Sequence, residues 1–431
     1  MGGGAPPDRQ ADMLQVLHPV RSLLLAIFVL MAGSGFVATL TGLRLDRAGV
    51  GTMLIGMVAT AYFAGLVAGA LRAGAIVGRV GHIRAFAACL ALLSASTLVY
   101  PLAPNAAVWM ALRLIDGFCV AGAFICLESW LNDRAPPGGR GETLAAYMIA
   151  LYSGQAIGQL LLGATGAYPG IPFQVAAILI SLAIIPLCLT RSAAPSTEDV
   201  GTLSIRTLFA ASPLGTVGAT ATGMILGAFY GLAAIHARRI GLDLGETARF
   251  MMFTILGGVV LQWPLGRLSD RYDRRLVMLL CLAAAMVISL ILAAIDRASP
   301  LLPVFGALFG GLSFSLYPLC VAHCNDRLAA SERVAGSGRL VLLYSLGAAI
   351  GPTAAAVAMS STDRGGLFLF VALVAGLTAG FGLWRQIANP PVPEDVQGDF
   401  RILPRTTPMA SLLQAPPRQA RKIRETFRKT G

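Results

Sequence analysis

Two charged residues lie inside an apolar stretch of the chain, where they could bind or transfer a proton. Arg113 and Asp116 occur three residues apart in "ALRLIDGF", so a helix would place them on one face, one turn apart. Charges at such a depth in an apolar helix usually face a cavity or each other. Two interpretations stay open: a proton-coupling pair, in which protonation of Asp116 allows Arg113 to move, or a static ion pair that holds two helices together.

A glutamate, Glu128, lies near the end of the same apolar stretch, in "FICLESWLNDR". Burial of an unpaired carboxylate is costly, so a partner is expected. Basic residues of the neighbouring loops, Arg79, Arg84 and Arg140, are expected on the same side of the molecule. Three roles stay open for Glu128: a gate residue paired with an arginine, a proton-binding group, or a surface carboxylate.

The segment "CVAHC" places Cys320, His323 and Cys324 on one helix face, a spacing that could hold a soft metal if a fourth ligand were present. The segment lies at a helix end, and the other half of the chain has no matching ligands. Packed thiols are therefore the preferred interpretation, and neither a metal nor a cofactor is expected. All seven cysteines lie in or at the ends of apolar segments, which favours free thiols over disulfides.

Apolar segments of about twenty residues carry these side chains, and that is the length of helix needed to cross a bilayer. The 431-residue chain is 56% hydrophobic and only 13% charged, about half the charged fraction of a soluble protein. The segments show neither the alternation of a membrane β-barrel nor the polar stripes of a soluble helical protein. We therefore predict an all-α polytopic membrane protein with twelve spans, at 21–43, 54–76, 85–104, 107–131, 143–167, 171–190, 213–236, 248–267, 275–296, 300–323, 338–359 and 365–385.

Positive charge is unevenly divided between the two sides of these spans. With the N-terminus assigned to the cytoplasm, the inner segments hold 25 of the 33 Lys and Arg residues and the outer loops hold seven. The positive-inside rule then places both termini in the cytoplasm. The net charge of +12 is explained by this orientation, and no nucleic-acid partner is expected. The tail sequence "RQARKIRETFRK" could contact anionic lipid or remain solvated.

The spans form two groups of six with similar sequences. A shift of 193 residues maps "LNDRAPPGGRGETLAAYMIALYSGQAIG" onto "CNDRLAASERVAGSGRLVLLYSLGAAIG", and a shift of 192 maps Gly74 and Arg79 onto Gly266 and Arg271. Internal duplication of this kind is typical of secondary transporters, whose repeats move around a site near the midplane. The predicted organisation is a cytoplasmic N-terminal segment at 1–20, helix bundles at 21–190 and 213–385, a cytoplasmic central loop at 191–212 and a basic cytoplasmic tail at 386–431.

Several motifs resemble those of the major facilitator superfamily. "GRLSDRYDRR", residues 266–275, resembles its signature loop between spans eight and nine. "RLIDG" resembles its R-x-x-Q-G motif of span four, with Asp116 in place of glutamine. "GQAIGQLLLG" resembles its antiporter pattern of span five, with Gln159 in place of the usual proline. Together, "RVGHIRAF", "ESWLN", "RGETLAAYM" and "GQAIGQ" resemble the YcaD-like subgroup, over about residues 20–385.

The resemblance implies a transporter, not an enzyme, built from two pseudo-symmetric six-helix bundles and working by alternating access. It implies a monomer in a bacterial inner membrane that moves a small organic solute, with the proton gradient as energy source. Proton-coupled efflux is the expected direction, and proton-symport uptake of a small metabolite is the alternative. A transport-incompetent membrane sensor with the same fold is the alternative from another class. No P-loop occurs in the sequence, which argues against ATP-driven transport.

Two sets of site residues are expected, the first from the resemblance and the second from the midplane position of polar and aromatic side chains. In sugar porters, a glutamate at the position of Glu128 joins arginines in a cytoplasmic gate, and the gate residues expected here are Glu128, Arg79, Arg84, Arg140, Asp270, Arg271, Arg274 and Arg275. Polar and aromatic side chains near the midplane would suit an amphiphilic or aromatic ligand; they are Ser34, Tyr62, Tyr152, Gln155, Thr222, Tyr230, Ser313, Tyr317 and Tyr344. For each of these, interhelical hydrogen bonding without ligand contact is the alternative.

Overall fold

The computed structural model describes residues 18–136, 139–189, 203–295, 299–329, 331–362 and 365–388, together with Phe400. Twelve helices in these ranges are long and apolar enough to cross a membrane. Two of them are broken, α1 into α1a (Arg21–Ser34) and α1b (Val37–Arg47), and α6 into α6a (Ile171–Leu182) and α6b (Ile185–Cys188). The others are α2 (Thr52–Val80), α3 (His82–Val99), α4 (Ala106–Arg134), α5 (Arg140–Thr165), α7 (Pro213–Arg239), α8 (Leu244–Arg271), α9 (Arg274–Ala294), α10 (Leu302–Asn325), α11 (Arg333–Ser360) and α12 (Gly366–Ala388).

The predicted all-α fold with twelve spans is confirmed, and the differences lie at the ends of segments. The third span was predicted to reach residue 104, but α3 ends at Val99. Pro101 has no backbone N–H, so it cannot donate the next helical hydrogen bond. The predicted central loop contains a short helix, Ile205–Ala211, whose first turn is capped by the Ser204 hydroxyl. Residues 191–202 of that loop, and most of both terminal segments, at 1–17, 389–399 and 401–431, lie outside the described residues.

Helix packing repeats between the two halves of the chain. A Cβ atom on Gly154 of α5 would lie 2.5 Å from the carbonyl oxygen of Phe28 in α1a, and one on Gly347 of α11 would lie 2.1 Å from that of Thr220 in α7. Only glycine allows backbones to approach so closely. The two contacts are related by the same shifts of 192 and 193 residues that relate the sequences, so α1 packs on α5 in the same register as α7 packs on α11.

The two halves meet along two seams, which we call the outer seams. In the first, between α2 and α11, a Cβ on Gly56 would lie 2.7 Å from the Cβ of Ala356, and the Thr60 hydroxyl donates to the Ala349 carbonyl at 2.7 Å. In the second, between α5 and α8, a Cβ on Gly163 would lie 3.3 Å from the Cβ of Ala248. Both seams lie in the parts of these helices remote from the side on which His18 and Ala388 lie, and they bring the halves together there.

The break in α1 is tied to α5 by Gln159. Ser34 ends α1a and Gly35 lies in the break, which leaves a backbone carbonyl without its usual helical partner. Gln159 is fully buried and donates from Nε2 to the Gly35 carbonyl oxygen at 3.2 Å. The glutamine that replaces the usual proline of span five therefore satisfies a polar group at the kink of the neighbouring helix.

Candidate functional site

A cavity lies between the two halves, and helices from both contribute to its wall. Its empty volume is about 1310 Å³, which includes the space open to solvent. Most of the lining side chains are apolar or aromatic, as is usual for sites that bind small molecules. Arg113 and Asp116, the pair singled out in the sequence, lie in this wall.

Asp116 is held by hydroxyl groups at the end of a neighbouring helix. It is 1% exposed. The Ser96 hydroxyl of α3 donates to one carboxylate oxygen, and the hydroxyl of Tyr100, which directly follows α3, donates to the other at 2.6 Å. Tyr100 is fixed in turn by Trp109, whose indole nitrogen donates to the Tyr100 carbonyl oxygen at 3.1 Å. The carboxylate is therefore preorganised by neutral donors, which is how a protein holds a buried charge in place.

Arg113 is buried beside Asp116 but is only loosely paired with it. Its Nη1 atom is 3.7 Å from Asp116 Oδ2, which is longer than a hydrogen bond. The guanidinium carbon lies 4.2 Å from the centre of the Tyr62 ring, in a cation–π contact. Arg113 Nε is buried and has no hydrogen-bond partner. Asp116 therefore accepts its hydrogen bonds from Ser96 and Tyr100, and Arg113 Nε makes none.

Tyr62 is placed on Arg113 by a close contact between α2 and α4. A Cβ on Gly117 would lie 2.0 Å from the Tyr62 carbonyl oxygen, so the two backbones touch where the ring covers the guanidinium. The related position in the second half is Gly310, where a Cβ would lie 1.9 Å from the Thr254 carbonyl oxygen. The backbone contact is repeated, but Arg113 and Asp116 correspond to Gly306 and Phe309. The charged pair therefore belongs to the first half alone.

The structure brings most of the residues expected at the midplane to the cavity. Those that line it are Ser34, Tyr62, Tyr152, Gln155, Tyr230 and Tyr344. Tyr152 of the first half stacks on Phe314 of the second, with ring centres 5.6 Å apart. The Tyr230 hydroxyl lies 3.4 Å from the side-chain oxygen of Gln155, which also links the two halves.

Ser313, Tyr317 and Thr222 are not among the residues that line the cavity. Ser313 is fully buried, and Tyr317 lies behind Tyr344, with ring centres 5.2 Å apart. The Thr222 hydroxyl donates to the Gly218 carbonyl oxygen of its own helix at 2.7 Å. Their positions along α7 and α10 are compatible with the midplane. The rotation of these helices about their axes, however, places the side chains against other parts of the protein and not in the cavity wall.

Sequence reasoning missed Ser96 and Tyr100, although both contact Asp116. They lie at the end of the third span, and a serine and a tyrosine at a span end have many possible roles. Their spacing of four residues, which puts them on one helix face, is the signal that was present in the sequence. This spacing identifies Asp116 as the shared partner only when the packing of α3 on α4 is known.

The structure buries Glu128 completely and places it against α5. Glu128 is 0% exposed, and one of its carboxylate oxygens accepts a hydrogen bond from the Tyr147 hydroxyl at 2.7 Å. Arg79 and Arg84 are exposed, and neither makes a hydrogen bond or ion pair with the described residues. Among the described residues, Arg79 and Glu128 therefore do not form an ion pair in this conformation.

On the second half, the expected gate residues form an ionic cluster around Arg274. Its Nη2 atom lies 3.2 Å from Asp270 at the end of α8, and its Nη1 atom donates to Asp326 at the end of α10. Arg274 is 1% exposed, so the centre of the cluster is shielded from solvent, while the Asp270 side chain is partly exposed. The backbone of Arg275 donates to the Asp273 side chain at 2.9 Å, which caps α9. Arg271 is exposed.

Phe400 contacts the same corner and could not be foreseen from the sequence. Its backbone N–H donates to Asp270 Oδ1 at 2.7 Å, and its ring lies against Gly266, where a Cβ would be 2.1 Å from ring atom Cδ1. Gly266 and Asp270 both belong to the signature loop. This glycine therefore provides the space in which the aromatic ring packs.

The cysteines of "CVAHC" are packed in the protein interior. Cys320 and Cys324 are 1% and 0% exposed. Arg327 Nη1 lies 2.6 Å from Nε2 of His323, so a cation approaches this ring. Within the described residues, no group of three or more His, Cys, Asp or Glu side chains is placed to hold a metal ion.

Comparisons with known proteins agree with this architecture. An uncharacterised MFS-type transporter, YcaD, from Escherichia fergusonii is 30% identical over 362 residues, which are 83% of this chain and 93% of that protein. An uncharacterised MFS-type transporter from Yersinia pestis is 29% identical over the same shares of both chains.

Among solved structures, the nucleoside transporter NupG superimposes with a TM-score of 0.73 at 14% identity, covering 85% of this chain and 98% of NupG. A bacterial homologue of the human lysosomal transporter Spinster, in an inward-facing and occupied conformation, gives 0.65 at 15% identity, covering 90% and 98%. At these identities the likeness shows a common fold. The family model described as Major Facilitator Superfamily matches residues 23–296 and 216–427. The chain is therefore a multi-pass membrane protein that belongs to the major facilitator superfamily and resembles its YcaD-like transporters.

Proposed function

We propose that the protein is a proton-coupled secondary transporter of a small organic solute, with Asp116 as the proton-binding group. The observation that carries the proposal is a buried carboxylate, held by Ser96 and Tyr100, in the wall of a cavity that both halves line. Ionisable groups at this depth in a membrane protein are costly and usually serve function. Family membership supports transport itself, and the coupling to protons rests on this site.

Protonation of Asp116 would change the forces on Arg113. With Asp116 ionised, the two charges attract across 3.7 Å in a site of low polarity, where such attraction is strong. With Asp116 neutral, that attraction disappears, and Tyr62 and Tyr100 remain as neighbours of the guanidinium. Proton binding thereby alters the contact between α4 and α2, both of which line the cavity. A shift of a few kcal/mol is enough to change which conformation dominates.

The gate residues remain part of the proposal. Glu128, bonded to Tyr147, joins α4 to α5, and Arg274 joins α8, α9 and α10 through Asp270 and Asp326. Both clusters lie toward the side on which the described chain begins and ends, where the halves must separate when that side opens. We propose that the exposed Arg79 and Arg84 pair with carboxylates of this side only in the alternative conformation.

Purified protein in proteoliposomes tests the proposed function. An imposed pH gradient is expected to drive accumulation of a solute to which the protein binds, with simultaneous movement of protons. A solute moved at the same rate with and without the pH gradient would remove the proton coupling. Binding without movement would favour a sensor. The sign of the gradient that drives accumulation distinguishes uptake from efflux.

The orientation proposed for the chain predicts where fused reporters lie. A reporter after Gly431 is expected in the cytoplasm of a bacterial host, and one inserted between Gly241 and Leu242 is expected outside. The second is the more demanding case, because Arg238 and Arg239 precede it. In the structure these arginines are held by backbone oxygens: Arg239 donates to Met359 at 2.9 Å and Arg238 to Leu242 at 3.3 Å. A cytoplasmic signal from the second reporter would contradict the proposed orientation.

A further inference from the structure

We infer that the cavity binds a small organic monoanion, a carboxylate with an aromatic or apolar body, through Arg113, and that this anion and a proton are carried together. The cotransport rests on the proposed function of Asp116. The anion site itself rests on the charge, burial and unused donors of Arg113.

Arg113 retains hydrogen-bonding capacity that the protein does not use. Its Nε is buried without a hydrogen-bond partner, although the side chain lines the cavity and is only 4% exposed. Asp116 does not take up this capacity, because its oxygens accept from Ser96 and Tyr100 and the ion-pair distance is 3.7 Å. A guanidinium presents its donors as a planar fork that matches the two oxygens of a carboxylate.

The charge of the cavity selects a monoanion. Among the described residues that line it, Arg113 and Asp116 are the ones charged at neutral pH, so the wall is neutral with Asp116 ionised and carries +1 with Asp116 protonated. A monoanion then restores neutrality. A dianion would leave an uncompensated charge in a buried site, and a cation would be repelled by Arg113.

The other titratable groups around Asp116 do not alter this charge. They are Tyr100 after α3, Tyr62 of α2 and Cys119 of α4 itself. Phenols and thiols are uncharged at physiological pH unless a site stabilises their anions. The neighbouring carboxylate works against that, so the charge state of the wall follows Asp116.

The rest of the wall fits a planar or apolar body. The rings of Tyr62, Tyr152, Tyr230 and Tyr344 line the cavity, and Phe314 packs behind Tyr152 and Tyr230. Tyr62 lies over the guanidinium, so a carboxylate bound at Arg113 would have an aromatic surface beside it. Side chains from both halves form this wall, which links ligand binding to the relative position of the halves.

Proton and anion binding should reinforce each other. A proton on Asp116 removes the negative charge that competes for Arg113, and an anion on Arg113 stabilises the proton on Asp116. This coupling must be equal in both directions, because it is a property of binding free energies. If proton and anion binding reinforce each other, both are carried in the same direction. If the two competed for one site, the protein would instead exchange one for the other. The geometry therefore supports proton-symport uptake, the alternative to the efflux expected from the sequence.

Thermal denaturation of the purified full-length protein tests the anion site without requiring transport. The probes are phenylacetate and octanoate, their primary amides, and phenylphosphonate, each at about 10 mM and at about pH 5.5 and pH 8. Both acids are expected to raise Tm, more at the lower pH, and to bind at least about tenfold more tightly than their amides. Phenylphosphonate is expected to lose affinity at the higher pH, where it is a dianion.

Three variants separate an anion site from a structural role of Arg113. Arg113→Gln is expected to abolish the preference for acid over amide, and Arg113→Lys to keep part of it. Asp116→Asn is expected to bind the acids with an affinity that no longer depends on pH. Equal binding of acids and amides, no binding of either acid, or an unchanged preference in Arg113→Gln would overturn the inference.

The two proposals fail in different ways. Acids that bind through Arg113 but are not accumulated in response to a pH gradient would retain the anion site and remove proton coupling. Proton-driven transport of another solute, without preference for acids, would retain proton coupling and remove the anion site.

Discussion

Replacement of Asp116 by asparagine is expected to abolish uphill transport driven by a pH gradient and to leave counterflow exchange largely intact. Asparagine keeps the size of the side chain, and its amide oxygen can accept from either Ser96 or Tyr100, but it cannot bind or release a proton. The variant is thus fixed in a state that resembles the protonated one. Proteoliposomes with a labelled carboxylate measure both activities in the same preparation.

Asp133→Asn is the matched control, because Asp133 is an exposed carboxylate on the same helix. It should retain both uphill transport and exchange. Wild-type pH dependence in Asp116→Asn would assign Arg113 and Asp116 to a static ion pair. Loss of exchange as well as uphill transport, with a normal Tm, would show that Asp116 acts in a step other than proton release.

Replacement of Gly117 by alanine is expected to cause a large loss of stability, about 3 kcal/mol in the free energy of unfolding. The added methyl group would lie 2.0 Å from the Tyr62 carbonyl oxygen, so α2 and α4 must separate. Tyr62 would then move away from Arg113, and anion binding should weaken along with stability. Thermal denaturation of the detergent-solubilised protein, with phenylacetate binding measured well below Tm, distinguishes the two effects.

Gly74→Ala on α2 provides the control, because a Cβ at this position meets no atom within 4 Å. Alanine favours helix over glycine by about 1 kcal/mol, so this variant should be neutral or slightly stabilised. Gly310→Ala, the related position in the second half, should destabilise the protein without a direct effect on the anion site. Similar Tm values for Gly117→Ala and Gly74→Ala would mean that the helices separate at little cost.

The spans were predictable because the bilayer imposes a length of apolar helix and water is absent to satisfy an exposed backbone. The internal repeat was predictable because the glycines that allow backbone contact recur at a constant shift, as Gly154 and Gly347 show. Arg113 and Asp116 were found because charge is rare in such a segment.

Other parts of the site depend on contacts between distant segments, which a single sequence does not contain. The rotation of α10 decides that Tyr317 lies behind Tyr344 and outside the cavity wall. The packing of α3 on α4 decides that Tyr100 reaches Asp116. Phe400 contacts Asp270 across 130 positions of the chain, and no local pattern marks that pairing.

The outer seams have a consequence for inhibitor design. They are related by the approximate two-fold symmetry of the halves, so a rigid-body rotation that separates α2 from α11 also separates α5 from α8. The first seam contains the hydroxyl bond of Thr60 to Ala349, whereas the Gly163–Ala248 contact in the second has only apolar atoms. A small apolar compound that binds between α5 and α8 would therefore have no hydrogen bond of this kind to break, yet it would keep both seams open. Such a compound would arrest the transport cycle from the membrane surface, without resembling the substrate and without entering the cavity.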